Sequence, residues 1–475
     1  MAFCVDNIAK APWKYWAQTS PFSIALKTST EVLNWQQLSK RIDQYTHYLN
    51  DLGVTRGDVL TLVGKNQVET LLFYLASKQL GALAALTMEQ PLDKLQGKLA
   101  ALYRPDQTRF IWFSQECAST FSEHDIQKLK ATLLSPPAVS QQESDSLTED
   151  SYHHDRLASV VFTSGSSGEP KAVVHTHRQH LASAEGLLQE FIFTQQDAWL
   201  LSLPLYHVSG LAIVYRWLYV GATLKVGSGK LVDDVQGVSH ASLVATQLKR
   251  LLDDDAHLSL THVLLGGSHV DHELALRATG QGIETWLGYG MTEAASTVTA
   301  KRIDSTSNAG HVLKHRKIKL VDQRIFIGGK TLAAGYFHQG HVTPFLDEKG
   351  WFDSKDIGEW QGNELKIIGR ADNQFISGGE NIHCEEIEAA LNQIDGVVQS
   401  IVVPVEDAEF GHRPVAVIQT NGLRSKSEYD QHLQSKLEKF KWPVEYHVMP
   451  LTLLEGGIKI SRKAVKEWLL SSLQH

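Results

Sequence analysis

The sequence predicts an α/β protein: a large N-terminal domain of layered βα units with a small β-rich subdomain, residues 1–370, followed by a small α+β domain, residues 371–475. Three observations carry that expectation. A chain of 475 residues exceeds one ordinary hydrophobic core. Short apolar runs alternate with stretches of helical spacing as far as Leu287, the pattern of repeated βα units with parallel strands. Beyond Gly310 the texture turns to short strand-like pieces, and after Arg370 a fresh α+β pattern begins.

Leu38, Ile42, Tyr45, Leu49 and Leu52 fall at helical spacing and stop at Gly53. Val59–Val63 reads as a strand, Val68–Leu80 as a helix and Ala82–Leu86 as a strand. The alternation continues through strands at Phe110–Phe113, Leu157–Phe162, Trp199–Leu203, Ala241–Val244, Val263–Leu265 and Thr285–Leu287. Ser135–Ser151 is polar, holds Pro136-Pro137 and several acids, and reads as an exposed linker. Ile318–Val321, Ile325–Ile327 and Leu365–Ile368 form the β-rich subdomain. The last domain reads helix His383–Ile394, strands Ser400–Val405 and Pro414–Thr420, helix Glu428–Phe440, strand Val444–Val448, and a final helix opened by Ser461.

Composition excludes several classes. The hydrophobic content of 43% suits a globular protein, and the longest apolar stretch, Gly210–Ala222, is interrupted by Arg216 and too short to span a bilayer. Lys10 and Lys14 lack an apolar segment behind them, so no signal peptide is expected. Cys4, Cys117 and Cys384 are too scattered for a CxxC site and point to a reducing compartment, the cytoplasm. A net charge of -8 does not favour nucleic acid. His175, His177 and His180 invite a metal reading, but no carboxylate or second cluster accompanies them, and a solvated helix start is expected. The sequence leaves a homo-oligomer open.

The most informative run is Thr163-Ser164-Gly165-Ser166-Ser167-Gly168-Glu169-Pro170-Lys171. It follows a strand and combines little side-chain bulk with many backbone N–H groups and hydroxyls, the parts needed to wrap a polyphosphate. The spacing is wrong for a Walker A loop: Lys171 follows Pro170, and Ala172 stands where the Mg-binding hydroxyl would be. A flexible Ser/Gly linker would not follow a buried strand or carry Pro-Lys.

This loop resembles the phosphate signature of the adenylate-forming enzymes, the family of acyl- and aryl-CoA synthetases, luciferases and peptide-synthetase adenylation domains. Ser167 replaces the usual Thr, keeping the hydroxyl. The resemblance implies ATP and Mg²⁺, with Thr163, Ser164, Gly165, Ser166, Ser167, Gly168 and Lys171 around the phosphates. Gly288-Tyr289-Gly290-Met291-Thr292-Glu293 fails the GxGxxG fingerprint but matches the family segment that places Tyr289 beside adenine, the Thr292 hydroxyl near the α-phosphate and Glu293 on the metal. Gly266-Gly267-Ser268 resembles the adenine-side turn. Asp356 matches the aspartate that accepts both ribose hydroxyls, with Asp353 its local competitor. Gly369-Arg370-Ala371-Asp372 resembles the domain junction, with Arg370 near the ribose and Asp372 as hinge of a mobile C-terminal lid.

Ile458-Lys459-Ile460-Ser461-Arg462 resembles the closing motif whose lysine reaches the carboxylate and α-phosphate; Ile458 stands in place of the usual glycine, with Gly456-Gly457 just upstream. On the acyl side, Tyr206-His207-Val208-Ser209 lacks the Asp that amino-acid-activating domains use on the substrate amine, and His207 is common in acyl- and aryl-CoA synthetases. The resemblance therefore implies Lys459, His207 and Thr292 as catalytic, and His207 and Ser209 at the acyl group. Arg216, close to Trp217 and Tyr219, is the only charge between Val208 and Ala222. It is either a snorkelling or structurally paired arginine, or the partner of a second substrate carboxylate.

Leu-Leu-Ser-Leu-Pro-Leu-Tyr-His-Val-Ser-Gly (200–210), His-Ala-Ser-Leu-Val (240–244) and Phe-Gly-His-Arg-Pro-Val-Ala-Val (410–417) resemble the branch of the family that joins o-succinylbenzoate, an aromatic dicarboxylate, to coenzyme A in menaquinone biosynthesis. That implies an acyl-adenylate formed with release of pyrophosphate, then displacement of AMP by the CoA thiol, with Gly378 and Gly379 on the CoA side. Another aryl- or acyl-CoA ligase, or a stand-alone adenylation enzyme loading a carrier protein, shares the core motifs.

Overall fold

Val59–Val63, Leu83–Thr87 and Phe110–Phe113 bury every side chain. Strands apolar on both faces pair in parallel and need cover on both sides. In the computed structural model they do pair in parallel. The structure describes residues 10–138, 152–164, 170–254, 258–266, 272–377, 380–407, 409–420, 422, 424–434, 436–454 and 460–472. The predicted linker lies largely outside them, at 139–151.

The chain forms two compact units, one of residues 1–318 with 327–352, the other of 319–326 with 353–475. Among the described residues the large unit holds an eight-stranded and a nine-stranded sheet. In the first, Leu83–Thr87 pairs in parallel with Leu157–Ser164, which pairs antiparallel with Pro170–Thr176. In the second, Ala198–Leu200, His240–Leu243, His262–Gly266 and Glu284–Met291 run parallel, and Ser296–Arg302 returns antiparallel on the last. One hydrophobic cluster contains side chains of both sheets and of the helices Trp35–Asp51, Val68–Leu80 and Val208–Val220. Val68–Leu80 buries every residue from Thr70 to Gln79, so it is a core helix and not an amphipathic surface one.

The small unit holds most of a four-stranded sheet, whose Phe352–Gln361 and Glu364–Arg370 pair antiparallel. A second sheet joins Gln374–Ser377, Glu380–His383, Val397–Asp407, Gly411–Thr420 and Glu445–Val448. Helices Cys384–Leu391, Lys426–Gln434 and Arg462–Ser472 pack with it.

Val59–Val63, Val68–Leu80 and Phe110–Phe113 fall where the sequence places them. Three expectations are corrected. The Trp199–Leu203 strand ends at Leu200, because the Asn66 amide takes the carbonyls of Leu201 and Leu203. The strand expected to stop at Leu287 runs on to Met291, because Ser296–Arg302 pairs along it with a bulge between Tyr289 and Gly290. The helix expected to reach Phe440 stops at Gln434; Leu437 and Trp442 fold onto the small unit's core instead.

Candidate active site

Thr163 and Ser164 close one strand and Pro170 and Lys171 open the next, in register Thr163↔Lys171 and Ser164↔Pro170. The two ends of the Gly/Ser loop therefore leave the sheet side by side. Gly165, Ser166, Ser167 and Gly168 lie outside the described residues. The Lys171 Nζ stands 5.0 Å from the centroid of the Tyr336 ring, a cation–π distance. Burial and the charge of Glu293 raise the Tyr336 phenol to about 12. Lys171, Tyr336 and the Glu293 carboxylate thus share one electrostatic neighbourhood beside the loop.

The segment carrying Glu293 is built with little freedom. At Gly290 an added Cβ would lie 1.8 Å from the Ser296 carbonyl oxygen, so only glycine fits. Thr292–Ala294 is one turn of 3-10 helix, and Ala295 and Ser296 follow at φ 51° and 88°. Two successive non-glycine residues in the left-handed region mark a strained turn, a common property of functional sites. Gly288, just before Tyr289, pairs with Gly266 at the end of the neighbouring strand, where a Cβ would meet nothing within 4 Å. Gly267 and Ser268 lie outside the described residues.

The histidine expectation is corrected. His177 does start a helix, His177–Leu188, and Thr176 caps it through a reciprocal bond with Gln179. The three rings are buried, not solvated. His175 Nε2 bonds the Thr292 carbonyl at 2.8 Å, His180 Nε2 the Ser159 hydroxyl at 2.7 Å, and His177 Nδ1 the Tyr215 hydroxyl at 2.9 Å. Burial lowers the His175 pKa to about 4 and pushes the other two well below the usual imidazole value. Among the described residues no group of three or more His, Cys, Asp or Glu converges as a metal site.

On the acyl side, His207 is the N-cap of the Val208–Val220 helix, and Ser209 lies in its first turn, half-buried. An added Cβ at Gly210 would meet the Pro204 carbonyl at 2.1 Å, so this helix start sits tight against the loop before it. Asn66 fixes that loop: its amide donates to Leu201 and Leu203 carbonyls at 3.1 and 2.8 Å and accepts from the Leu205 N–H at 2.8 Å. Arg216, two turns along, is 2% exposed. It packs over the Trp199 ring at 5.2 Å and donates one long bond, 3.3 Å, to the Thr297 hydroxyl. Among the described residues its Nε has no partner and no carboxylate pairs with it, and burial lowers its pKa to about 9. It does not snorkel, and no salt bridge among the described residues compensates it.

In the small unit, Asp356 is nearly buried and accepts from Arg370 at 3.0 Å. Arg370 also grips Asp372 through two parallel bonds, 2.8 and 3.1 Å. Hydrogen bonding to Asp372 pushes the guanidinium pKa up; burial raises that of Asp372, but the bonds and charge of Arg370 outweigh it and hold the carboxyl below its usual value. The competitor Asp353 is occupied by Arg324 at 2.8 Å and by the Lys355 N–H. Arg462 ties the last helix to Glu385 and Glu388 of helix Cys384–Leu391. Gly378, Gly379 and Lys459 lie outside the described residues.

Sequence reasoning missed Asn66, Thr297 and Tyr336 and read His175 as solvated. A signal existed for His175 alone: it shares strand parity with Lys171, so both stand on one face.

Residues 13–337 match the AMP-binding enzyme family and residues 386–453 its C-terminal domain, AMP-binding enzyme C-terminal domain. The chain is 41% identical over 465 residues to the 2-succinylbenzoate–CoA ligase of Salmonella typhimurium, covering 98% of this chain and 99% of that one. It is 41% identical over 470 residues to the 2-succinylbenzoate–CoA ligase of Haemophilus influenzae, with 96% and 98% covered. Among solved structures it is similar to a variant of Escherichia coli MenE with bound OSB-AMS, at a TM-score of 0.86 and 38% identity over 97% of this chain and 98% of that one. Matching that family over most of its length and its curated relatives at 41% identity, the chain belongs to the AMP-binding, adenylate-forming enzymes.

Proposed function

We propose that this enzyme joins o-succinylbenzoate to coenzyme A at the expense of ATP, an acid–thiol ligase step of menaquinone biosynthesis. The observation that carries the substrate is Arg216: a buried guanidinium in the acyl-side helix, with no carboxylate partner among the described residues. A buried cation without a counter-charge is costly. A substrate with a second carboxylate supplies one, and the names of the relatives agree.

The succinyl carboxylate attacks the α-phosphorus of ATP; the α–β bridging bond breaks, pyrophosphate leaves and an acyl-adenylate forms. The CoA thiolate then attacks the acyl carbon and AMP leaves, the thiol proton passing to solvent. Residues 1–370 bind ATP and the acyl group, and residues 371–475 act as a lid turning about Asp372. The 163–168 loop and Lys171 hold the β- and γ-phosphates, Gly266, Gly267, Ser268 and Tyr289 flank adenine, and Asp356 and Arg370 take the ribose. Thr292 lies by the α-phosphate, His207 and Ser209 by the acyl group, and Gly378 and Gly379 by CoA. Lys459 offsets charge at the pentavalent phosphorus. Glu293, a carboxylate with no histidine cluster around it among the described residues, fits a hard cation whose remaining oxygens would come from ATP; Mg²⁺ there would supply charge neutralisation on the phosphates.

No helix among the described residues is long and apolar enough to cross a membrane. We place the enzyme in the cytoplasm, with its small-molecule substrates. A panel of aromatic acids read by AMP release, with and without CoA, tests the reading. o-Succinylbenzoate with CoA should lead the panel. Equal turnover of aromatic monocarboxylates overturns the substrate, and transfer only to a phosphopantetheinyl protein overturns the acceptor.

A further inference from the structure

Three carbonyls of the strained turn after Tyr289, those of Thr292, Glu293 and Ala295, accept from groups outside the nucleotide motifs. Thr292 O accepts from His175 Nε2 at 2.8 Å, and Glu293 O accepts from the Ala333 N–H at 2.8 Å. Ala295 O accepts from the Ser183 hydroxyl. That hydroxyl in turn accepts from Arg316 Nη2 at 2.8 Å, so its own proton is directed to Ala295. Left-handed φ at Ala295 and Ser296 persists only where surrounding contacts over-determine it. His175 and Ser183 stand on either side of one helix start, at the end of strand Pro170–Thr176 and within helix His177–Leu188. The strand that leaves the phosphate loop therefore carries Lys171 near its beginning and the clamp on Thr292 at its end.

From this geometry we propose that His175 and Ser183 are positioning residues for adenylation: they fix the main chain of Thr292 and Ala295 and so aim the Thr292 hydroxyl and the Glu293 carboxylate at the nucleotide and its metal. The proposal rests on the reading of Thr292 and Glu293 given above. The chemistry of the donors suits the task. A carbonyl only accepts, so the His175 proton sits on Nε2; its Nδ1 has no partner among the described residues. The ring is neutral, so it orients the turn without competing with a metal for the charge of Glu293. An arginine or lysine in its place would attract that carboxylate.

The test compares wild type, His175→Leu, His175→Gln and Ser183→Ala in two half-reactions. One is o-succinylbenzoate-dependent ATP–pyrophosphate exchange, titrated with Mg²⁺ and with ATP. The other is thioester formation from pre-made acyl-adenylate and CoA. His175→Leu should cut kcat/KM for ATP in exchange by about tenfold to a hundredfold, the scale of a misplaced catalytic group, and raise the Mg²⁺ needed for half-maximal rate. Thioester formation should stay within about threefold, since no pyrophosphate or its metal takes part. The glutamine variant keeps an N–H at the Nε2 position and should recover most of the loss; Ser183→Ala should shift the same parameters less. Equal losses in both half-reactions, or a glutamine variant no better than leucine, overturn the proposal. If His175→Leu does not fold, as judged by its melting curve, the same split measured on Ser183→Ala decides. A wild type without any such exchange sinks the functional reading itself, and this proposal with it.

Discussion

Two arginines stand in opposite electrostatic states. Arg216 lies in a core helix with one long hydrogen bond and no anion among the described residues, whereas Arg370 is half-exposed and holds two carboxylates at 2.8–3.1 Å. Burial works against the charge of the first; ion pairing reinforces that of the second. A cation that carries its own counter-ions organises the protein around it. One that lacks them is completed by a ligand. On the proposed reading, the contrast fits Arg216 to substrate recognition and Arg370 to holding Asp356 and Asp372 ready for the ribose and the hinge.

The largest effect that would break this contrast is at Arg216. Arg216→Ala should lower kcat/KM for o-succinylbenzoate by roughly 30-fold to several-thousand-fold, from the ~2–5 kcal/mol lost on truncating a buried charged pair at ~1.4 kcal/mol per decade. An analogue without the ring carboxylate should lose far less. Arg216→Lys should recover part, offering a point charge and no fork. Parallel loss on both substrates would make Arg216 structural.

Lys459 sharpens the division between half-reactions. Lys459→Ala should slow acyl-adenylate formation by roughly 10²–10³, the scale of one electrostatic stabiliser, and leave thioester formation from pre-made adenylate near wild type. Equal loss in the two would remove the lysine from the first step.

Arg370→Ala should be milder and blind to the acyl group. Being half-exposed, its pairs are worth about 1 kcal/mol, so KM for ATP should rise about fivefold with every acid tested. Acyl-dependent changes in steady-state kinetics would count against the ribose assignment.

The smallest effect concerns proton linkage at the buried imidazole. His175 titrates near 4 in the fold and near 6.5 unfolded, so between those values the unfolded chain binds a proton that the fold does not. Its contribution to stability is intact above about pH 6.5 and declines as pH falls towards about 4. At pH 6 this one residue should cost on the order of 1 kcal/mol relative to pH 8. Denaturant unfolding of wild type and His175→Gln at the two pH values measures it; an unchanged pH dependence in the variant would place the proton uptake elsewhere.

Local patterns were legible and long-range ones were not. Val68–Leu80 could be read to the residue because apolar spacing ends at Gly81, which caps the helix in the left-handed conformation, φ 74°. The phosphate loop, the Tyr289–Glu293 segment and the Arg370–Asp372 pair announce themselves within a few residues. The histidines after the loop did not, because what buries them comes from elsewhere: the Thr292 carbonyl is 117 residues from His175. A polar ring beside a helix start reads as solvated until the fold supplies its partner. Arg216 was half-legible: the sequence shows a lone charge in an apolar segment, and only the fold shows that no carboxylate among the described residues answers it.

Asn66 follows the Val59–Val63 strand of one sheet, and the loop it holds follows the Ala198–Leu200 strand of the other. One amide thus stitches together the carboxyl ends of two sheets that share no strand. Such a stitch frees the acyl-side loop from the need to match a neighbouring strand. Its length and side chains can be rewritten while the stitch keeps its root in place. On the proposed reading, engineering toward other aromatic acids can therefore start at the half-buried Tyr206, His207 and Ser209, provided the amide at 66 and the tightly packed Gly210 are left alone.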